Sequence, residues 1–326
     1  MKSLLLVFIT LWIGVSSGLS AGSTNAPSPR KPGDYPPGPD SLPQAGVPRG
    51  KLEGPLLFRS QIFTNTVRQY WIFVPAQYTP EKAACVLVFQ DGQRATKTNG
   101  ALRVPQVMEN LIAKREMPVT IGIFITPGER GETYAEGNGS NPSNRAFEYD
   151  SLTDSYARFL IEEMLPEVGK RFNLTKDPEG RAIGGTSSGA ICAFTVAWQR
   201  PDEFRRVISC IGSYTSIAYR PAHDGQPMVS GGEIYPTLIR KNPIRPLKIF
   251  FQDGANDLSN EHGSWFLANQ QMLSALEWAN ANADRKNTPG PRYRINHEWG
   301  DGGHADNHGG AILPDILRWL WSDYPK

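Results

Sequence analysis

The chain predicts a doubly wound α/β fold with a mostly parallel sheet. Three observations carry that expectation. Ala84–Phe89 (ACVLVF) and Val119–Ile125 (VTIGIFI) are unbroken apolar runs, as strands covered on both faces require. Helical spacing alternates with strand-like runs along the chain. Gly185-Thr186-Ser187-Ser188-Gly189 lies between a short apolar run and a nearly all-apolar helical stretch. No internal repeat is found.

The 326 residues suffice for a full core, with 39% hydrophobic and 10% aromatic residues. The formal net charge is +2, and no basic block is longer than a pair such as Arg30-Lys31. Nucleic acid is therefore not expected as a partner. Lys2, an apolar run from Leu4 to Val15 and small residues to Ala21 follow the order of a secretory signal peptide. The expected leader covers residues 1–20, with cleavage after Ser20 or Gly22, a secreted or periplasmic location, and no stable membrane insertion once it is removed. Residues 21–50 are rich in Pro, Gly and Ser and read as a linker or a wrapping arm. The catalytic-type domain is expected over 51–326. The three cysteines, Cys85, Cys192 and Cys210, each sit in an apolar run and read as small buried hydrophobes.

In chain order, Thr66–Pro75 (TVRQYWIFVP) is strand-like and Val104–Ile112 carries helical spacing. The Gly- and Asn-rich loop 127–144 is long enough to suggest a functional role. Tyr156, Phe159, Leu160, Met164 and Leu165 share one helix face. Arg181–Ile183 is a short strand, and Ala190–Trp198 is a buried helix that ends near Arg200, before Pro201. Val207–Ile211, Leu247–Phe251 and Tyr293–His297 read as strands, and Phe266–Asn282 and Ala311–Trp321 as helices.

A Gly-x-Ser-x-Gly turn from strand to helix is a nucleophile elbow, the mark of the α/β-hydrolase fold. Ser187 alone among the three hydroxyl residues has glycine two positions before and two after. A serine hydroxyl needs a base to take its proton and an acid to orient that base. In this fold they follow in the order Ser, Asp or Glu, His. Gln252–Asp257 closes a strand at its C-terminal end, so Asp257 is the expected acid and Asp253 the alternative. Of five histidines, His304 follows the Gly-rich loop after the last strand and is the expected base, with His308 as the alternative. The oxyanion needs two N–H donors: Ser188 supplies one, and the Asp-Gly turn at Gly92 and Gln93 the other. His304 and His308 stand four apart, a spacing that two zinc ligands can use on a helix. Glycines flank the pair and the zincin glutamate is missing, so no metal and no cofactor are expected.

With these motifs in hand, the chain resembles the esterase family that contains enterochelin esterases, S-formylglutathione hydrolases and the feruloyl and acetylxylan esterases of carbohydrate esterase family 1. The resemblance covers residues 55–324. It rests on Phe89–Gly92, Arg145–Asp150, Leu165–Glu167, the elbow, Gln252–Asp257 and Gly302–His304. It implies a serine carboxylesterase acting through Ser187, Asp257 and His304, with a small-molecule or polysaccharide-linked ester as partner. Feruloyl or acetyl esters of carbohydrate are the expected substrates. A siderophore esterase, an acyltransferase, and a non-catalytic binding protein on the same scaffold are the other readings. Arg145, Glu148 and Tyr149 are expected to be structural. Loop 127–144 and the segment Tyr214–Tyr235 are expected to shape the acyl pocket.

Overall fold

The computed structural model describes residues 31–135 and 141–326. The expected leader lies outside them. One sheet organises the molecule. Its main strands are β1 (Lys51–Arg59), β2 (Thr66–Val74), β3 (Cys85–Gln90), β4 (Thr120–Ile125), β5 (Arg181–Thr186), β6 (Arg206–Cys210), β7 (Lys248–Gly254) and β8 (Arg294–Gly300). Their spatial order is β1-β2-β4-β3-β5-β6-β7-β8, with a two-residue strand at Glu129–Arg130 beside β2. β2 is antiparallel to β1 and to β4, and every later pairing is parallel. The four principal helices are α1 (Val104–Ala113), α2 (Ser188–Gln199), α3 (Trp265–Arg285) and α4 (Asp306–Leu320). This is the α/β-hydrolase arrangement that the sequence predicts.

The central strands β3 to β7 are buried along their whole length, because helices cover both faces. Two apolar clusters result. One gathers Phe159, Leu160, Phe194 and Trp198 on one side. The other gathers Val107, Leu111, Leu313 and Leu317 on the opposite side. All three cysteines are buried and free, and burial raises each thiol above its ordinary range. Among the described residues, no helix is long and apolar enough to cross a membrane.

Three of the differences from the sequence reading have a visible physical cause. β1 was not expected, because Gly54-Pro55 punctuates it as a turn would. The strand absorbs that pair in a register shift between Glu53 and Leu56. The helix over Tyr156–Leu165 is not uniform: Ser155–Arg158 is α, Phe159–Met164 is π, and Leu165–Gly169 is α again. Pro166 has no N–H for the carbonyl of Glu162, and the ladder widens there, with the Leu165 N–H reaching the Leu160 carbonyl. α4 starts at Asp306 rather than Ala311, so it includes Gly309 and Gly310. A side chain at Gly309 would press on Cys210 and Gln252, and one at Gly310 on the Ala101 carbonyl. Glycine here serves close approach to the sheet, not chain freedom.

Residues 32–50 are packed on the domain, within the compact unit Pro32–Lys326. The Tyr35 ring stacks on His308 at 3.9 Å, and its hydroxyl donates to Asp301 Oδ1 at 2.6 Å. Asn110 donates to the carbonyls of Asp40 and Leu42 at 2.8 and 2.9 Å. The Asp40 carboxylate pairs with Lys114 and Arg318. Polar contacts of this kind let a segment poor in apolar residues hold a fixed path.

Glu148 forms the main buried ion pair on the β2 side. Arg68 donates to both of its oxygens, at 2.8 and 3.1 Å, and both side chains are fully buried. The Gly128 N–H and Asn144 Nδ2 supply two further donors, and the guanidinium lies over the Phe159 ring at 4.3 Å. Removing one member strands the other charge in the core. Glu148→Ala is therefore expected to lose about 3–5 kcal/mol in urea unfolding. A loss below about 1 kcal/mol would contradict this account.

Candidate active site

Ser187 sits at the sharp turn between β5 and α2 with φ 58° and ψ −126°. A β-carbon on Gly185 would lie 2.5 Å from the Gly189 carbonyl carbon and oxygen. One on Gly189 would lie 3.0 Å from Cβ of Gln90. Gly185 thus makes room for Gly189, and Gly189 for β3. The turn is held by the Ser187 N–H on the Cys210 carbonyl at 3.0 Å and by the Ala190 N–H on the Ser187 carbonyl at 2.9 Å. Positive φ at a non-glycine residue costs of order 1–3 kcal/mol and persists where the surroundings enforce it.

The structure brings Ser187, His304 and Asp257 together. His304 Nε2 is 2.9 Å from Ser187 Oγ, and His304 Nδ1 is 2.6 Å from Asp257 Oδ1. Asp257 also accepts the Leu258 N–H at 2.6 Å. The Trp265 ring meets the His304 ring edge to face at 5.7 Å. These contacts fix the imidazole with Nδ1–H toward the acid and Nε2 free to accept from serine.

The two alternatives occupy other positions. His308 is buried in the first turn of α4, with Nδ1 2.9 Å from Gln252 Nε2 and Nε2 3.3 Å from Glu298. It supports the loop that carries His304. Asp253 is fully buried at the end of β7 and is hydrogen-bonded to Asp257.

Ser188 heads α2, so its N–H has no carbonyl four residues back to bind. Gly92 opens the short turn Gly92–Ala95, and the same reasoning applies to the N–H groups of Gly92 and Gln93. The Gly189 contact with Gln90 sets this turn against the elbow. A side chain at Gly92 would sit 2.6 Å from the Phe124 carbonyl carbon, so only glycine fits. Arg145 grips Asp91, which precedes this turn, at 3.1 and 2.8 Å. Arg94 ties the turn to Asp306 of α4 at 3.0 Å. Arg145 is thus a brace for the turn, and Glu148 a core partner of Arg68.

Comparisons with known proteins give the family and the fold. Residues 62–304 match the family model described as "Putative esterase". The chain belongs to this esterase family. Its fold is shared with the enterobactin esterase FES from Shigella flexneri (20% identity, 88% of this chain and 62% of that one, TM-score 0.61). It is also shared with a ferulic acid esterase (19% identity, 84% and 99% covered, TM-score 0.59). The feruloyl esterase module of Clostridium thermocellum is a third (16% identity, 90% and 95%, TM-score 0.56). An uncharacterised Bacillus subtilis protein, YbbA, is 21% identical over 148 residues, which is 45% of this chain and 57% of that protein. The chain thus spans under two thirds of the length of YbbA and of the enterobactin esterase.

In this family member a cleft of about 530 Å³ opens beside the elbow. One wall comes from Tyr214–Tyr235, through Ala218, Arg220, Val229 and Ser230. The other comes from Phe147, Asp150, Leu152 and their neighbours, just past loop 127–144. The described residues of that loop do not line it. Asp150 brings the cleft near Ser188 of the elbow, and burial raises its carboxyl above the ordinary range.

Sequence reasoning missed Asp253's part, along with Ser213, Trp265 and Asn269. Burial, then the bond to Asp257 and its charge, push Asp253 up to about 9. Burial alone would raise Asp257 too, but the bonds from His304 and Asp253 outweigh it and lower the group. The pair therefore shares one proton, held on Asp253 and donated to Asp257. Asn269 Nδ2 and the Gly254 N–H, each at 2.7 Å, complete Asp253's bonding. The sign follows from linkage. A carboxyl raised on folding contributes its stability below its ordinary 3.8 and loses it as pH rises to about 9. Asp253→Asn keeps a donor without the ionisation. Its melting temperature is expected to decline less than the wild type's between pH 5 and 9; parallel curves for the two proteins would contradict the shared proton.

Proposed function

We propose that the chain is a serine carboxylic-ester hydrolase that works through an acyl-enzyme. The observation that carries this reading is the hydrogen-bonded line Ser187–His304–Asp257, at 2.9 and 2.6 Å, on a strained strand-to-helix turn. His304 Nε2 takes the Ser187 proton as Oγ attacks the ester carbonyl. The oxyanion meets the Ser188 N–H and an N–H from Gly92 or Gln93. His304 then passes its proton to the leaving alcohol. In the second half, water attacks the acyl carbon, His304 takes the water proton, and that proton returns to Ser187 as the acid product leaves. Asp257 stays ionised and holds the imidazole in place.

The cleft supports an aryl acyl group. Phe147, which is 64% exposed, and Leu152 make one wall apolar, and Val229 adds apolar surface to the other. Hydroxyls of Ser151, Thr153 and Ser230 rim the same space and suit a sugar or phenol edge. Feruloyl esters of carbohydrate fit this chemistry, with acetyl esters as smaller occupants. Lys2 and the apolar run Leu4–Val15 support export of the enzyme.

Ser187→Ala is expected to lose at least about 10³-fold in kcat on p-nitrophenyl acetate, and to stop labelling by a fluorophosphonate. Retained turnover in that variant would sink the reading. Phe147→Ala is expected to raise KM for methyl ferulate severalfold while p-nitrophenyl acetate changes by less than about twofold, since a lost aryl contact affects binding of the larger acyl group. Equal effects on both esters would remove Phe147 from the acyl site.

A further inference from the structure

A second serine touches the proposed nucleophile. Ser213 Oγ lies 3.1 Å from Ser187 Oγ, and Trp265 Nε1 lies 3.0 Å from the same Ser213 oxygen. Ser213 is 1% exposed, so water does not supply its partners. The chain reaches this position through Ile211, whose φ is 44°. A β-branched residue with positive φ is rare and is held there by its surroundings. Here the Ile211 N–H is fixed on the Gln252 carbonyl at 2.7 Å, and the Ser213 N–H points at the Ser187 carbonyl at 3.3 Å. The strained bend after β6 thus delivers Ser213 to the elbow.

The direction of each hydrogen bond follows from the donors available. An indole N–H only donates, so Ser213 Oγ accepts from Trp265. The Ser187 hydroxyl has a single proton, and it goes to His304 Nε2, whose other nitrogen donates to Asp257. The 3.1 Å contact therefore carries the Ser213 proton toward Ser187 Oγ. The order is Trp265 to Ser213 to Ser187 to His304 to Asp257.

We propose that Ser213 is a further catalytic residue, a fixed donor to the Ser187 oxygen in both halves of the reaction. This rests on the reading of Ser187 as nucleophile. Ser213 neither gains nor loses a proton. In acylation the Ser187 proton moves to His304 while the Oγ–carbon bond forms, and in deacylation that bond breaks while His304 returns a proton to Oγ. In both transition states Oγ holds more negative charge than the ester oxygen of the acyl-enzyme does. A donor aimed at it binds the transition state more tightly than that intermediate. Trp265, buried under the His304 ring, keeps Ser213 from turning its proton elsewhere.

The test uses the full chain with p-nitrophenyl acetate, counting active sites by the initial burst so that any unfolded fraction drops out. Ser213→Ala is expected to lower kcat per active site about tenfold with KM within twofold, less than the loss of an oxyanion-hole donor because the bridging oxygen holds less charge. Its fluorophosphonate labelling slows by a similar factor. Ser213→Thr, which keeps the hydroxyl, recovers most of the rate. Turnover by Ser213→Ala within twofold of the wild type would overturn the proposal. So would equal losses in the alanine and threonine variants at unchanged melting temperature, because volume rather than the proton would then matter. Ser187→Ala in parallel separates the two readings: if it retains activity, the serine mechanism itself fails. If it is inactive while Ser213→Ala is normal, only the role of Ser213 falls.

Discussion

The close contact of Gly185 with Gly189 is the constraint on which the rest of the site depends. A β-carbon at either place would press into backbone or into β3. With both absent, β5 turns directly into α2 and leaves Ser187 at positive φ on the outside of the bend. That position exposes the hydroxyl to His304 and leaves the first N–H of α2 unbonded. Nucleophile and oxyanion donor are thus products of one backbone event. The strain is local, and the fully buried strands on either side resist its relaxation.

The surrounding polar groups act as braces for this turn and for the two loops that meet it. Arg145 on Asp91 and Arg94 on Asp306 join the turn after β3 to a mid-chain segment and to the start of α4. Tyr35 and His308 hold the loop before α4. Asp253 and Asn269 back the acid. Such groups are partly or wholly withdrawn from water, where paired charges and hydrogen bonds are directional and costly to break. Reacting atoms held within a few tenths of an ångström need no reorganisation when charge develops.

Legibility in the sequence followed the range of the signal. β3 and β4 were readable because strands buried on both faces are largely apolar, and β5 to β7 through the short apolar stretches within them. β1 was not, because its one-sided exposure and its Gly54-Pro55 pair imitate a turn. The start of α4 was misread for the opposite reason. Gly309 and Gly310 lower intrinsic helix propensity, yet packing against Cys210, Gln252 and Ala101 admits nothing larger. Tertiary contact overruled local preference there.

By itself the sequence determined the fold class and the elbow, together with the chain order Ser187, Asp257, His304. Each of these is written in residues close to one another or in a fixed order along the chain. Only the tertiary structure decided which of Asp253 and Asp257 faces the imidazole and which of His304 and His308 faces the serine. It alone brought Ser213 and Trp265 to the nucleophile and laid Tyr35 against the histidine loop. The reason is physical. Strand pairing sets β5 beside β6, and β7 beside β8, at separations in sequence that no local pattern records. The hydrogen bonds that orient a proton form only once those ends have met.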